Sequence, residues 1–215
     1  MSGAMTPYVV RQGDYLAKLA FVRGFDADEV WNDPKNQALR DLRKNPNILH
    51  PGDVLYLPAA TQQWLPLQKG TTNQYTAKVP RVTVRLGFKN EEGPMANEPY
   101  VVEGLVPRQE GSTDGGGMLT LRVPLHVREV SVVLTKHDVE YPVRIGDMDP
   151  IDEASGLRKR LQHLGYRVDD SERSEDEAME ADGRAIATFQ RAQGMVPTGD
   201  LDDATKAALV DAHGS

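Results

Sequence analysis

The most constraining feature of this sequence is a pair of turn-containing motifs near its N-terminus. Residues 8–20 pass from a short apolar stretch through the turn Gly13-Asp14 into leucines at helical spacing. Residues 45–58 pass through a Pro-Gly turn into a second short apolar stretch that a proline ends. An aspartate directly after a turn glycine can cap the N-terminus of a helix. The motifs therefore predict a strand followed by a helix, and later a second strand.

Further helical segments are predicted between the two motifs. The first begins near Ala27, with Asp26 as its cap and with Val30 and Trp31 facing inward. A proline interrupts it, and residues 37–43 are predicted to resume the helix. Together with the motifs, this pattern predicts a βααβ unit in residues 1–60.

The two motifs, in this order, resemble the LysM module, which binds N-acetylglucosamine polymers such as peptidoglycan and chitin. The connection before Asn45 is longer than in the shortest LysM modules, which resembles a variant found in contractile tails and secretion spikes. In LysM modules a shallow groove lies between the loop after the first strand and the loop before the last. The resemblance therefore implies these glycan-contacting residues: Gly13, Asp14, Tyr15, Leu16, Asn47, Ile48, Leu49 and His50.

Three of these positions leave alternatives open. Tyr15 stands where the family commonly has Thr or Ser, so its ring would either stack on a sugar face or obstruct the groove. Leu16 and Ile48 would either touch the N-acetyl group or pack in the core. Because the loop framework is otherwise retained, we expect residues 1–60 to carry most of any glycan affinity.

Residues 61–78 are predicted to be a linker, because they are polar, contain Gly and Pro, and lack a sustained hydrophobic period. Trp64 and Leu65 are its candidate anchors. Residues 79–148 then alternate polar and apolar side chains in short runs that turn clusters separate. This pattern predicts a small antiparallel β-sandwich.

The turns of this β domain carry a resemblance of their own. Residues 91–100 and 112–119 resemble the prealbumin-like or carboxypeptidase-regulatory type of β domain. Such domains often act as spacers in secreted and spike-associated proteins, so the resemblance implies a spacer here.

Residues 149–215 predict three helices. The first carries Leu157 and Leu161 and ends at Gly165, with Asp152 or Ser155 as its cap. The second spans about residues 175–192 with Ile186 and Phe189 facing inward, and the third follows a cap at Asp202 with Ala204, Ala208 and Leu209 as its buried face. The candidate core and helix-end residues of this segment are Asp152, Ser155, Leu157, Leu161, Gly165, Ile186, Phe189, Asp202, Ala204, Ala208 and Leu209.

The spacing within this segment resembles the three-helix peptidoglycan-binding domain. The resemblance lies in residues 157–166, residues 185–190 and the run from Thr198-Gly199 to Leu209. That family usually has a glycine-rich turn between its first two helices, whereas this chain has an acidic run at residues 169–182. We therefore expect the fold to be kept and the pocket that the turn helps to form to be altered, which leaves the segment as a folded docking unit.

The net charge and the lack of cysteine exclude some classes of partner and of chemistry. The net charge of −7 would repel a polyanion, so nucleic acid is not an expected partner. The chain has no cysteine, which excludes thiolate catalysis and thiolate metal sites. No stretch approaches the ~20 apolar residues of a membrane span, and no signal peptide is visible. We expect synthesis in the cytoplasm, no membrane partner, and action at the periplasm and cell wall or within a contractile secretion assembly.

Carboxyl pairs and histidine clusters are the groups of this sequence that could carry catalysis. The candidate acidic groups are Glu91 with Glu92, Asp147 with Asp149, and the run 175–177, and each occurs in a turn, a link or an exposed helix end. The five histidines show no paired ligand spacing. We therefore expect no enzyme activity, no cofactor and no metal site, with a hydrolase in the β domain as the least favoured alternative.

The sequence as a whole predicts a multidomain α+β protein: a LysM domain, a small antiparallel β-sandwich and a three-helix peptidoglycan-binding domain. The expected function is non-catalytic binding of peptidoglycan or a chitin-like glycan, which would tether a partner to the cell wall. The alternative is a structural adaptor in a contractile injection machine, such as a phage-like tail or a type VI secretion spike. Its LysM fold would then connect to a spike, baseplate or effector protein.

Overall fold

A computed structural model describes residues 4–60, 65–75, 78–90, 92–166, 168 and 174–214 of the chain. Trp64, Glu91 and the first part of the acidic run lie outside these residues, so the expectations for them are not addressed further. The chain forms two compact units, Met1–Asp147 and Met148–Ser215. The first unit spans the predicted LysM, linker and β segments, and the second spans the predicted helical domain.

The first unit begins with two strands that enclose three short helices. In chain order the elements are β1 (Thr6–Val9), α1 (Leu16–Arg23), α2 (Ala27–Asn32), α3 (Gln37–Leu42) and β2 (Val54–Leu57). A 3₁₀ turn at Pro34–Asn36 precedes α3, since Pro34 cannot continue the hydrogen bonding of α2. Strands β1 and β2 pair antiparallel, with Tyr8 opposite Leu55.

A small core holds these elements together. Its buried members come from α1, α2, α3 and β2 and from the loops that follow β1 and precede β2: Val10, Leu16, Leu19, Val30, Trp31, Leu39, Leu49, Leu55 and Leu57. The predicted cap of α2 is confirmed, because the Asp26 carboxylate accepts a hydrogen bond from the Glu29 N–H at 2.9 Å. The predicted cap at Asp14 is wrong. The N-cap position of α1 is Tyr15, and its side chain makes no capping hydrogen bond.

The rest of the first unit is antiparallel β structure. Its strands are β3 (Arg81–Gly87), β4 (Lys89–Asn90), β5 (Gly93–Pro94), β6 (Pro99–Glu103), β7 (Gln109–Ser112), β8 (Met118–Pro124), β9 (Glu129–Leu134) and β10 (Val139–Arg144). One sheet has the order β10-β9-β6-β7, and two-stranded sheets pair β3 with β8 and β4 with β5. Alternate residues of β8 and β9 are buried, as expected for strands with one solvated face.

The four-stranded sheet and the β3–β8 pair contribute side chains to one core. Its buried members are Val102, Leu105, Leu119, Leu121, Val123, Val130, Val132 and Ile145. These residues share no member with the core of the preceding segment. The first unit therefore contains two separate hydrophobic cores.

The second unit consists of helices α4 (Ala154–His163), α5 (Glu175–Ala192) and α6 (Asp203–His213). This confirms the predicted combination of mixed α and β structure with a C-terminal helical domain. The core of the unit is formed by Leu157, Leu161, Ala185, Ile186, Phe189 and Leu209. In the part of the chain that the structure describes, no helix is long and apolar enough to cross a membrane.

Most of the predicted helix ends in this unit are confirmed. Gly165 follows the end of α4, where the Tyr166 N–H donates to the Leu161 carbonyl and the Gly165 N–H to the Gln162 carbonyl, which is a Schellman motif. Asp202 caps α6 by accepting from the Thr205 N–H at 2.7 Å.

Two predictions in this unit are wrong. The cap position of α4 is Glu153, whose side chain makes no capping hydrogen bond, rather than Asp152 or Ser155. Ala204 is exposed, and its neighbour Thr205 is buried instead.

Candidate functional site

The two loops of the predicted groove lie side by side because the second loop caps the helix that follows the first. The Leu16 N–H donates to the Pro46 carbonyl at 3.1 Å, and the Ala17 N–H donates to Asn47 Oδ1 at 3.0 Å. The Asn47 N–H in turn donates to Asn45 Oδ1 at 2.9 Å. The Asn-Pro-Asn motif therefore satisfies the free N–H groups of α1 from a distant part of the chain.

The predicted site residues differ widely in exposure. Leu16 and Leu49 are only 2% and 4% exposed and belong to the core of the segment, which favours packing over sugar contact for Leu16. Tyr15 is also buried. The remaining predicted site residues are half-buried or exposed: Gly13, Asp14, Asn47, Ile48 and His50.

The polar groups beside Gly13 have partners within the fold. The Asp14 carboxylate accepts from Tyr8 Oη at 2.5 Å and from the Arg11 N–H at 3.2 Å. Lys18 Nζ donates to the Gly13 carbonyl at 2.5 Å. Burial, and then the hydrogen bond to Asp14, raises the pKa of Tyr8, whereas burial and the charge of Arg128 lower the pKa of Lys18.

Tyr15 does not face solvent. Its hydroxyl donates to the Leu125 carbonyl at 3.4 Å, and burial raises its pKa. Leu125 follows strand β8 of the β domain, so the ring lies against protein from another part of the first unit. A solvent-facing platform for a sugar would require a different position of this ring.

In the second unit, one buried glutamine organises the residues that carry the peptidoglycan-binding resemblance. Gln190 is 1% exposed, and the two hydrogens of its Nε2 are shared among three acceptors: Thr198 Oγ1 at 3.1 Å, the Asp200 carbonyl at 3.1 Å and Thr205 Oγ1 at 2.9 Å. Its Oε1 accepts from the Gly199 N–H at 2.9 Å. This side chain therefore fixes the loop between α5 and α6.

The same loop passes close to the backbone of α5. A Cβ atom on Gly199 would lie 3.0 Å from the Gly183 carbonyl oxygen, and Gly199 has a φ of +82°. Glycine meets both requirements. Hydrogen bonds from Thr205 lower the pKa of Asp202, which keeps the cap of α6 ionised.

An ion pair joins α4 to α5, and a buried arginine of α4 bonds to nearby backbone carbonyls. Arg158 on α4 forms a forked contact with Asp182 on α5, with Nε 2.9 Å from Oδ1 and Nη2 2.9 Å from Oδ2. Arg160 is 1% exposed and donates from Nη1 to two carbonyl oxygens, those of Asp149 and Gly156. Burial lowers the pKa of Arg160 to about 10, and the charge of Asp149 opposes this shift.

The structure brings together two histidines that sequence spacing did not pair. His163 Nδ1 at the end of α4 lies 3.0 Å from His213 Nε2 at the end of α6, and the rings stack with centroids 5.2 Å apart. Burial, followed by the charges of Lys159 and Arg160, lowers the pKa of His163. Burial, followed by His163 and Arg160, lowers the pKa of His213 to about 4.

The candidate catalytic carboxyl groups that lie in the described part of the chain make contacts that stabilise the fold. Asp147 accepts from Gln12 Nε2 at 2.6 Å, Asp149 lies 3.3 Å from Lys159 Nζ, and Glu177 completes the capping box of α5. Among the residues that the structure describes, no group of three or more His, Asp or Glu side chains could hold a metal ion.

Comparison with known families identifies the second unit. Residues 152–209 match the family described as a putative peptidoglycan binding domain. No curated protein and no solved structure shows a significant match to the chain. The chain therefore contains a peptidoglycan-binding domain, which spans α4, α5 and most of α6.

The sequence pattern identifies the motif residues of this domain but not the hydrogen bonds that they make. Residues 185–190 and 198–205 were recognised as a family pattern, whereas the structure shows that Gln190 joins them by hydrogen bonds. The sequence feature that could have indicated these hydrogen bonds is a glutamine, Gln190, close to the Thr198-Gly199 turn. Arg160 and the histidine pair gave no sequence signal, because their partners are distant or are backbone groups.

Proposed function

We propose that this chain is a non-catalytic peptidoglycan-binding protein that attaches to the cell wall through residues 152–209. The observation that carries the proposal is the match of this segment to a peptidoglycan-binding family, on a helical unit with its own core. Residues 1–147 would then be the part that is held at the wall. This assignment reverses the expectation that residues 1–60 carry most of the affinity.

Two further observations support placing the glycan contacts in the second unit. The family match does not extend to the predicted LysM segment. Within that segment Tyr15 is 3% exposed, and both Leu16 and Leu49 are core residues. The strand and helix order still agrees with a LysM module, and we keep that assignment as part of the proposal for the fold.

Sedimentation with purified sacculi tests the proposal. We expect the intact protein to sediment with sacculi, and we expect Phe189→Ala to abolish sedimentation because Phe189 is the fully buried centre of the helical core. Met179→Ala, which changes a 68% exposed side chain of α5, is the matched control. Failure of the intact protein to sediment would contradict wall binding. Release of soluble fragments from the sacculi would contradict the absence of enzyme activity.

A second candidate function is that of an adaptor in a contractile injection machine. One observation favours it. The loop at residues 13–16, which would hold glycan in a LysM module, instead contacts the chain's own β domain through Tyr15 and Leu125. Neighbouring genes for baseplate, spike or effector proteins would support this candidate. A neighbourhood that lacks all of them would remove it.

A further inference from the structure

Tyr15 is buried without belonging to either core of the first unit. It is 3% exposed, yet it is absent from the core of residues 10–57 and from the core of the β domain. Leu125, whose carbonyl accepts the Tyr15 hydroxyl, is 4% exposed and is likewise in neither core. The burial of Tyr15 therefore comes from contact between the βααβ segment and the β domain.

The ring of Tyr15 packs against Gly146. A Cβ atom on Gly146 would lie 2.6 Å from Tyr15 Cδ1 and 2.8 Å from Cε1, closer than real Cβ contacts come. The same Cβ would lie 3.3 Å from the Gly13 carbonyl oxygen. The ring and the turn of the predicted glycan loop thus rest directly on the backbone at Gly146.

Polar groups surround this contact. Gln12 Nε2 donates to Asp147 Oδ1 at 2.6 Å, which links the residue before Gly13 to the residue after Gly146. On the other side Lys18 is 8% exposed, and the charge of Arg128 contributes to lowering its pKa. The charge of Arg128 disfavours the ammonium of Lys18, whereas the packing of Tyr15 on Gly146 and the Gln12 hydrogen bond favour the contact.

We infer that Tyr15 and Gly146 form a latch that closes one side of the N-terminal groove with the chain's own β domain. The position that departs from the LysM pattern is the position that makes this contact. In the intact chain the groove is therefore closed on the side of Tyr15. The part of this inference that concerns glycan depends on the proposed LysM fold, whereas the masking contact does not depend on wall binding by residues 152–209.

Two variants open the latch from opposite sides. Tyr15→Thr removes the ring and restores the small hydroxyl common in LysM modules, and Gly146→Ala places a Cβ where the ring lies. The matched controls are Tyr75→Thr, at a tyrosine that is 50% exposed, and Gly70→Ala, at a glycine of positive φ with no atom within 4 Å of the added Cβ. All variants are made in the full chain, and near-ultraviolet circular dichroism verifies that they are folded.

The measurement is amide hydrogen exchange with and without N-acetylglucosamine tetramer. Without ligand, both latch variants should exchange residues 13–18 at least tenfold faster than the wild type and the controls. With ligand, only the latch variants should regain protection at residues 13–18 and 45–50. Sedimentation with sacculi, measured in parallel, should be unchanged in every variant, so that a failure of the proposed wall binding is detected separately.

Three outcomes would overturn the inference. Ligand-dependent protection of residues 13–18 in the wild type would show that the groove is already open. Unchanged exchange in both latch variants would show that Tyr15 and Gly146 do not close it. Faster exchange without any gain of ligand protection would show that the closed surface is not a glycan groove.

Discussion

The peptidoglycan-binding domain and the βααβ segment use their recognisable motifs in different ways. In the C-terminal domain the motif residues bond to one another, since the buried Gln190 joins Thr198, Gly199 and Thr205 by hydrogen bonds. In the N-terminal segment the first motif contributes Leu16 and Leu19 to the core, and its Tyr15 contacts the β domain. Both motifs therefore indicate a fold. The N-terminal motif does not, however, indicate which part of the protein its loop at residues 13–16 contacts.

This difference has a consequence for mutation. Substitutions in the buried network of the C-terminal domain should affect the folding of that domain, whereas substitutions at Tyr15 should affect a contact between two separately folded cores. The expected effects decrease from the apolar core of the C-terminal domain, through its polar network and the N-terminal helix cap, to the histidine pair.

The largest effect is expected for Phe189→Ala. Phe189 is fully buried, its ring packs edge-on against Tyr166 with centroids 5.5 Å apart, and truncation of a buried Phe costs about 3–5 kcal/mol. This is a large share of the stability of a small domain. Thermal unfolding should show loss of the helical domain with the β signal retained. A variant that keeps the wild-type helical transition would show that the core of the domain lies elsewhere.

Gln190→Met should follow, because it keeps the volume of the side chain and removes its hydrogen bonds. The Gly199 N–H loses its Gln190 acceptor, and Thr205 Oγ1 loses a donor in a buried site. Leaving such groups unpaired costs about 1–3 kcal/mol. Urea unfolding of the C-terminal domain measures this loss. A neutral result for Gln190→Met would show that the motif does not depend on this network.

Much of the fold was predictable because local signals and burial agree. The boundaries of α5 and the caps at Asp26 and Asp202 follow from polarity, spacing and capping chemistry. Tyr15 shows the limit, since its exposure is decided by Gly146, which lies far away in the sequence. Sequence patterns describe which face of an element is apolar, but they do not identify the distant backbone that buries a loop side chain such as Tyr15.

In the N-terminal segment, substitutions of Asn47 test the hydrogen bond that caps α1. Asn47→Ala removes the acceptor of the Ala17 N–H and should destabilise the segment by about 1 kcal/mol. Asn47→Asp keeps an oxygen in place and adds a negative charge at a helix N-terminus, so it should restore most of this stability. Hydrogen exchange at Ala17 and the following turn measures the effect. Equal behaviour of the two variants would show that the side-chain oxygen does not cap the helix.

At neutral pH the smallest effect is expected for His213→Gln, because the contribution of this group appears only at acidic pH. Burial and the nearby charges lower the pKa of His213 to about 4 in the folded protein, below its ordinary value of 6.5. Between these two values the unfolded chain binds more protons than the folded one, so the free energy of unfolding falls as the pH falls from 6.5 toward 4. His163, whose pKa is lowered by burial, acts in the same direction.

His213→Gln removes the titrating group while leaving an amide that can still bond to His163. The wild type should therefore lose more stability than the variant between pH 6.5 and 4, and the two should change in parallel between pH 7 and 8. His126→Gln, at an exposed histidine of the β domain, is the matched control and should follow the wild type throughout. The measurement is the urea midpoint of the helical transition at each pH. Parallel curves for the wild type and His213→Gln across the acidic range would show that the histidine pair does not contribute to the acid sensitivity of the C-terminal domain.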